Sequence, residues 1–131
     1  MTEPVWLSVN DVIRLQQKLI DAYGGSPGIR DMNLIESALA RPMQLWAYGD
    51  PQPDMAALAA SLTHGLAKNH GFVDGNKRIA ALGLMVFLRA NGYRIETTDE
   101  EGESTFVALA AGEIGAEELT VWVREKAVTI D

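Results

Sequence analysis

His70-Gly71-Phe72-Val73-Asp74-Gly75-Asn76-Lys77-Arg78-Ile79-Ala80-Ala81-Leu82-Gly83-Leu84-Met85-Val86-Phe87-Leu88 is the stretch on which the reading of this chain turns. Its first nine residues hold a histidine, a carboxylate, an amide and two adjacent cations. The next ten are apolar on nearly every face, the pattern of a helix buried in a core. A run of that length is too short to cross a bilayer. We therefore expect a central buried helix over about 76–91, stopped by Asn91-Gly92, with a polar loop held at its start.

Working outward, helix formers dominate and β-branched runs are scarce, which gives an all-α class. Ser8 stands at an N-cap, with Asp11 three positions on as a variant capping box, and the first helix ends in Gly24-Gly25-Ser26-Pro27-Gly28. Asp31 caps a second helix, and Arg41-Pro42 is expected to close it, because the residue before proline is pushed out of the α region. Residues 42–53 then read as a loop pinned by Trp46 and Tyr48. Asp54 caps a third helix to about residue 69. After the central helix, 93–97 alternates as a short extended piece. Asp99-Glu100-Glu101 opens a fifth helix, and a sixth runs from Ala116 to about Val128. The expectation is about six helices in one domain over 1–131, with its core at about 8–125.

The formal net charge is −7, so direct nucleic-acid binding, which needs a basic surface, is not expected. Against that acidic background Lys68, Lys77 and Arg78 cluster around His70 and suggest a small anionic ligand. No cysteine is present, which removes disulfides, thiolate metal sites and cysteine nucleophiles. No leader-like segment opens the chain, no membrane association is expected, and a cytoplasmic location is the expectation.

The loop carries chemistry in combination. Gly75-Asn76-Lys77 lies where a helix begins, and the first amides of a helix make an anion site suited to phosphate. Lys77 and Arg78 add charge-assisted donors. Asp74 is a hard-oxygen ligand, enough for Mg²⁺ if a nucleotide supplies the remaining donors. His70 can fold back over such a site as a general base. His64, six residues earlier, reads as structural. Taken alone, Asp74-Gly75-Asn76 reads first as a turn with an asparagine cap, in which Asp74 bonds only turn amides.

His70 to Arg78 resembles the signature of the Fic/Doc superfamily, and specifically its Doc (death on curing) toxins, whose pattern is His-x-Phe-x-Asp-Ala/Gly-Asn-Lys-Arg. Gly28 to Asp31, Leu34 to Pro42, Leu88 to Tyr93 and Ala111 to Ile114 are also similar to that group. The resemblance implies a compact helical fold, with His70 as base, Asp74 as the Mg²⁺ ligand, and Gly75 and Asn76 as the anion site. Lys77 and Arg78 would hold the phosphates of ATP, Arg78 stabilising charge in the transition state. Most Fic enzymes transfer AMP to a protein. Here Lys77 replaces the second glycine of that pattern, and Ala81 stands where its second arginine belongs. Doc toxins share both departures, which implies a kinase moving the γ-phosphate to a threonine of the translation factor EF-Tu, arresting translation and growth. It also implies neutralisation by a Phd-type antitoxin. AMP transfer is the enzymatic alternative, and a catalytically silent protein-binding module the non-enzymatic one.

Overall fold

The computed structural model describes residues 2–130. In chain order these form α1 (Val9–Tyr23), α2 (Met32–Tyr48), α3 (Met55–Asn69), α4 (Asn76–Ala90), β1 (Tyr93–Ile95), α5 (Asp99–Ala111), α6 (Ala116–Lys126) and β2 (Ala127–Thr129). The all-α expectation holds, with one two-stranded antiparallel ribbon added.

Local chemistry sets the helix starts. Ser8 Oγ accepts from the Asp11 amide at 3.1 Å while the Asp11 carboxylate accepts from the Ser8 amide at 2.8 Å, the reciprocal capping box. Asp31 and Asp54 cap α2 and α3, accepting from Asn33 N–H at 3.0 Å and Ala57 N–H at 2.9 Å. Thr98, one residue before the acidic run, caps α5.

Two helices share the centre. The central helix expected from the sequence, α4, buries Ile79, Ala80, Gly83, Leu84, Phe87 and Leu88 along one stripe. The alanine-rich α3 is buried over more of its surface and packs against α2, α4, α5 and α6. Small residues permit that close approach: a Cβ on Gly65 would lie 3.1 Å from the Cα of Ala38 in α2. The other face of α4 is open, with Met85 exposed and Ala81 half-buried.

Two boundaries differ from expectation. Pro42 does not close α2, which continues to Tyr48 with the proline buried inside it. Proline at 42 cannot donate to the Ala38 carbonyl four residues back. That carbonyl instead faces α3, 3.5 Å from where a Gly65 Cβ would stand, and packing of the buried Pro42 side carries the helix through. Trp46 does pack on the core, but Tyr48 is 85% exposed and pins nothing. The last helix stops at Lys126 rather than about Val128. Ala127–Thr129 pairs with Tyr93–Ile95, because β1 offers an unpaired edge and Val128 and Thr129 are β-branched.

Candidate active site

The loop between α3 and α4 is gripped from outside by the segment after α1. Val73 N–H donates to the Gly28 carbonyl at 3.1 Å, and the amides of Arg30 and Asp31 both donate to the Gly71 carbonyl, at 2.8 and 3.0 Å. Gln16, buried in α1, holds that segment in turn through the Gly28 carbonyl and amide. Phe72 is buried and anchors the loop, as its apolar side chain predicts.

Asn76 sits at the first position of α4. Its side-chain amide donates to the Phe72 carbonyl at 3.0 Å, and its carbonyl accepts the Phe72 amide at 3.1 Å. The asparagine therefore closes the loop and does not cap the helix. Gly75 holds the cap position in the left-handed region (φ 79, ψ 16), with no side-chain cap. Ile79 N–H is the first amide of the helix to reach back, to the Gly75 carbonyl at 2.8 Å. The amides of Asn76, Lys77 and Arg78 thus begin the helix without a side-chain acceptor. The starts of α1, α2, α3 and α5 each have a side-chain cap, whereas α6, like α4, has glycine at its cap and no side-chain acceptor for its first-turn amides; Glu118 takes only the Gly115 amide, at 3.0 Å.

His70, Asp74, Gly75, Asn76, Lys77 and Arg78, every site residue expected from the sequence, line one open cavity of about 430 Å³ together with Val73. His70 closes α3 with φ 51 and ψ 47, the only non-glycine residue with positive φ among the described residues. Histidine visits this region more readily than most residues, yet it costs about 1 kcal/mol or more there. Its imidazole is exposed to solvent, as are the heads of Lys77 and Arg78. Neither cation has a carboxylate partner among the described residues, whose ion pairs are Arg14–Asp11, Arg94–Glu96, Arg124–Asp54 and Lys126–Glu101. Arg78 lies over Tyr23 of α1, with Cζ 4.6 Å from the ring centre.

Asp74 is held by amides, as the plain reading of the turn anticipates. Oδ1 accepts from Gly75 N–H at 2.9 Å and Oδ2 from Ser26 N–H at 3.2 Å. A side chain on Gly25 would stand 2.8 Å from Oδ2, so glycine there is what lets the two segments meet. Each carboxylate oxygen keeps a second lone-pair site, and the group is exposed to the cavity. One oriented carboxylate beside uncapped helix amides is a donor set that suits a hard cation carrying phosphate oxygens. Among the described residues no group of three His, Cys, Asp or Glu side chains could hold a metal by itself, so a cation here would draw most of its ligands from a bound molecule and water.

Two residues near the loop in sequence go elsewhere. Lys68 does not join the cluster: Nζ lies 3.2 Å from where a Cβ on Gly112 would stand, at the carbonyl end of α5, which has no basic residue in its own last turn. His64 stays out of the cavity. Burial, then the charges of Arg41 and Lys68, lower its pKa below the ordinary histidine value. The reading from sequence missed Arg30, Gln16 and Tyr23. Only the position of Gly28 to Asp31 in the resemblance pointed to any of them.

Among the described residues no helix is long and apolar enough to cross a membrane. A sequence model of the Fic/DOC family matches residues 6–88. The chain is 33% identical over 108 residues to the "Protein kinase doc" of Escherichia phage P1, covering 82% of this chain and 84% of that one. It is 44% identical over 75 residues to the "Toxin Doc" of Mycolicibacterium smegmatis, covering 56% of this chain and 57% of that relative.

Proposed function

The chain belongs to the Fic/DOC family, and from that premise we propose that it is a toxin kinase that moves the γ-phosphate of ATP to a hydroxyl of a protein. The observation that carries this reading is the uncapped start of α4. Its uncapped amides belong to residues that line the same cavity as His70, with the side chains of Lys77 and Arg78, and this supports reading an anion site beside a base. The name of the phage relative, a protein kinase, supports the same reaction.

In this proposal the open amides of Asn76, Lys77 and Arg78, with the Lys77 and Arg78 side chains, hold the phosphates, while the Gly75 amide expected from the sequence to join them is spent on Asp74 Oδ1. His70 takes the proton of the target hydroxyl as its oxygen bonds to the γ-phosphorus. The bond from that phosphorus to the bridging oxygen breaks, and ADP leaves with the charge, which Arg78 neutralises. Asp74 would ligate Mg²⁺, which supplies charge neutralisation on the phosphate oxygens when bound. Positioning and charge stabilisation are most of what phosphoryl transfer asks of a protein. Lys77 favours the γ-phosphate over the α-phosphate, because its side chain fills space that a second glycine would leave open.

The resemblance makes a threonine of EF-Tu the proposed target, with arrest of translation and growth as the result, and a Phd-type antitoxin the proposed inhibitor. An antitoxin helix has a surface to meet on the open face of α4. There Ala81 and Met85 line a groove of about 560 Å³ with Tyr23 and Phe106, adjoining Lys77 and Arg78. Met85→Glu should block neutralisation by the product of the adjacent reading frame while leaving phosphate transfer intact. Unaltered neutralisation would move the inhibitor elsewhere.

ATP labelled at the α or the γ position, with EF-Tu or a cell extract as acceptor, tests the reaction. Label retained from the γ-phosphate is expected. Retention from the α-phosphate would establish AMP transfer instead, and transfer of neither would favour a silent binding module.

A further inference from the structure

We infer that Arg30 is a positioning residue for His70, a role that rests on reading His70 as the base. The φ and ψ of residue 70 are the rotations between two peptide planes, one carrying the Asn69 carbonyl and the other the His70 carbonyl. Arg30 holds both. Its Nε–H donates to the His70 carbonyl at 2.7 Å, and Nη2 donates to the Asn69 carbonyl at 3.2 Å. Its own main-chain N–H, with that of Asp31, takes the next carbonyl, Gly71. One residue and its neighbour therefore fix three consecutive carbonyl directions at the end of α3.

That clamp answers the strain. A left-handed helix end is ordinarily given to glycine, as it is at Gly112 after α5. At the end of α3 the position carries the imidazole instead, in a conformation that side chains resist. Such a conformation persists only where its surroundings overdetermine it, and the rigid guanidinium fork is suited to holding two carbonyls at once. The end of a helix also favours a cation. Arg30 does not line the cavity, so it acts through His70 and not on a substrate. With the fork removed, residue 70 is free to return to negative φ. The Cβ then swings, and the imidazole leaves the line between cavity and helix start. Lysine would keep the charge but offers a single ammonium in place of a planar fork.

The test uses Arg30→Ala and Arg30→Lys in the full chain. NMR couplings that separate positive from negative φ are measured at residue 70. Phosphate transfer is followed as kcat and the KM for ATP. In Arg30→Ala, φ at residue 70 should turn negative and kcat should fall about ten- to a hundredfold, with KM for ATP unchanged because the phosphate donors are untouched. Guanidinium ion added at low millimolar concentration should restore part of the loss. Arg30→Lys should lie between parent and alanine, and it decides the matter by the same readings if the alanine variant does not fold. A positive φ that survives in the variant, or an unchanged kcat, would overturn the inference. So would a rise in KM with kcat preserved, which would make Arg30 a binding residue. If the parent itself transfers no phosphate, the kinase reading fails, while the φ measurement still decides what Arg30 does.

Discussion

The two glycines of the loop should fail for different reasons, and the difference can be measured. Gly75 has φ 79, but a Cβ there would meet only Ile79 Cδ1, at 4.0 Å. Gly75→Ala therefore costs left-handed strain without a clash, about 1–2 kcal/mol. For a chain of this size that is a fall of about 3–8 °C in Tm. Gly71 is not among the residues with positive φ. A Cβ there would collide with Ile35 Cγ1 and stand 3.1 Å from the Ile35 amide nitrogen and 3.4 Å from the Asp31 carbonyl oxygen. Ile35 is 1% exposed and the other two atoms are backbone, so none can give way cheaply. Gly71→Ala should sit at the upper end of overpacking costs, about 3 kcal/mol. Asparagine separates the two causes, because it tolerates the left-handed region but is larger than alanine. At 75, Asn should be less damaging than Ala; at 71, more damaging. Urea unfolding of the four variants at neutral pH reads this directly. The same order of Ala and Asn at both positions, or a larger loss at 75 than at 71 for alanine, would refute the reasoning.

His70→Ala and His70→Gly should both abolish phosphate transfer and growth arrest, yet the glycine variant should be the more stable by about 1 kcal/mol, because φ 51 suits glycine; equal thermal midpoints would deny the strain at 70. Asp54 accepts two bonds from Arg124, at 2.8 and 3.1 Å, and this pairing holds its pKa below the ordinary 3.8. A depressed carboxylate contributes stability above its unfolded value that is lost as pH falls through the folded one. Arg124→Gln should therefore weaken the protein at neutral pH and flatten its acid limb below the ordinary value, as followed by thermal melts from neutral to acid pH; an unchanged acid limb would count against the pairing. Tyr23→Leu removes the ring under Arg78, and an exposed cation–π contact of about 0.5–1 kcal/mol corresponds to a rise of about two- to fivefold in the half-saturating ATP concentration; unaltered saturation would show that Arg78 needs no such support.

Much of this fold is legible because its helix starts are written in local chemistry. Ser8 with Asp11, Asp31 and Asp54 each mark a boundary that the structure keeps. Pro42 misleads for the same local reason: its cost to a helix is real, and what offsets it is burial of the proline in the tertiary fold, which no local pattern records. The end of α6 is hidden likewise, since Ala127–Thr129 becomes a strand only through pairing with Tyr93–Ile95. In the site, the residues of the signature loop could be named because they are contiguous. Arg30, Gln16 and Tyr23 act on it from α1 and from the segment that follows. No spacing rule relates an arginine to carbonyls about forty residues away.

Asn76 shows how the loop differs from the turn it resembles. An asparagine beside the start of a helix is a good cap by residue type, and an ordinary Asp-Gly-Asn turn would use it so. Here it sits one position too late and spends both ends of its amide on Phe72. The cap position falls to Gly75, which has nothing to offer. This is not a chain short of caps, since α1, α2, α3 and α5 each start on a side-chain cap. Nor is it short of anions: it carries 18 Asp and Glu, yet none pairs with Lys77 or Arg78 among the described residues, while four other cations find partners. Free amides, the positive end of a helix dipole and two unpaired cations converge where His70 and Asp74 also face. Those open donors are what the proposed phosphate site rests on.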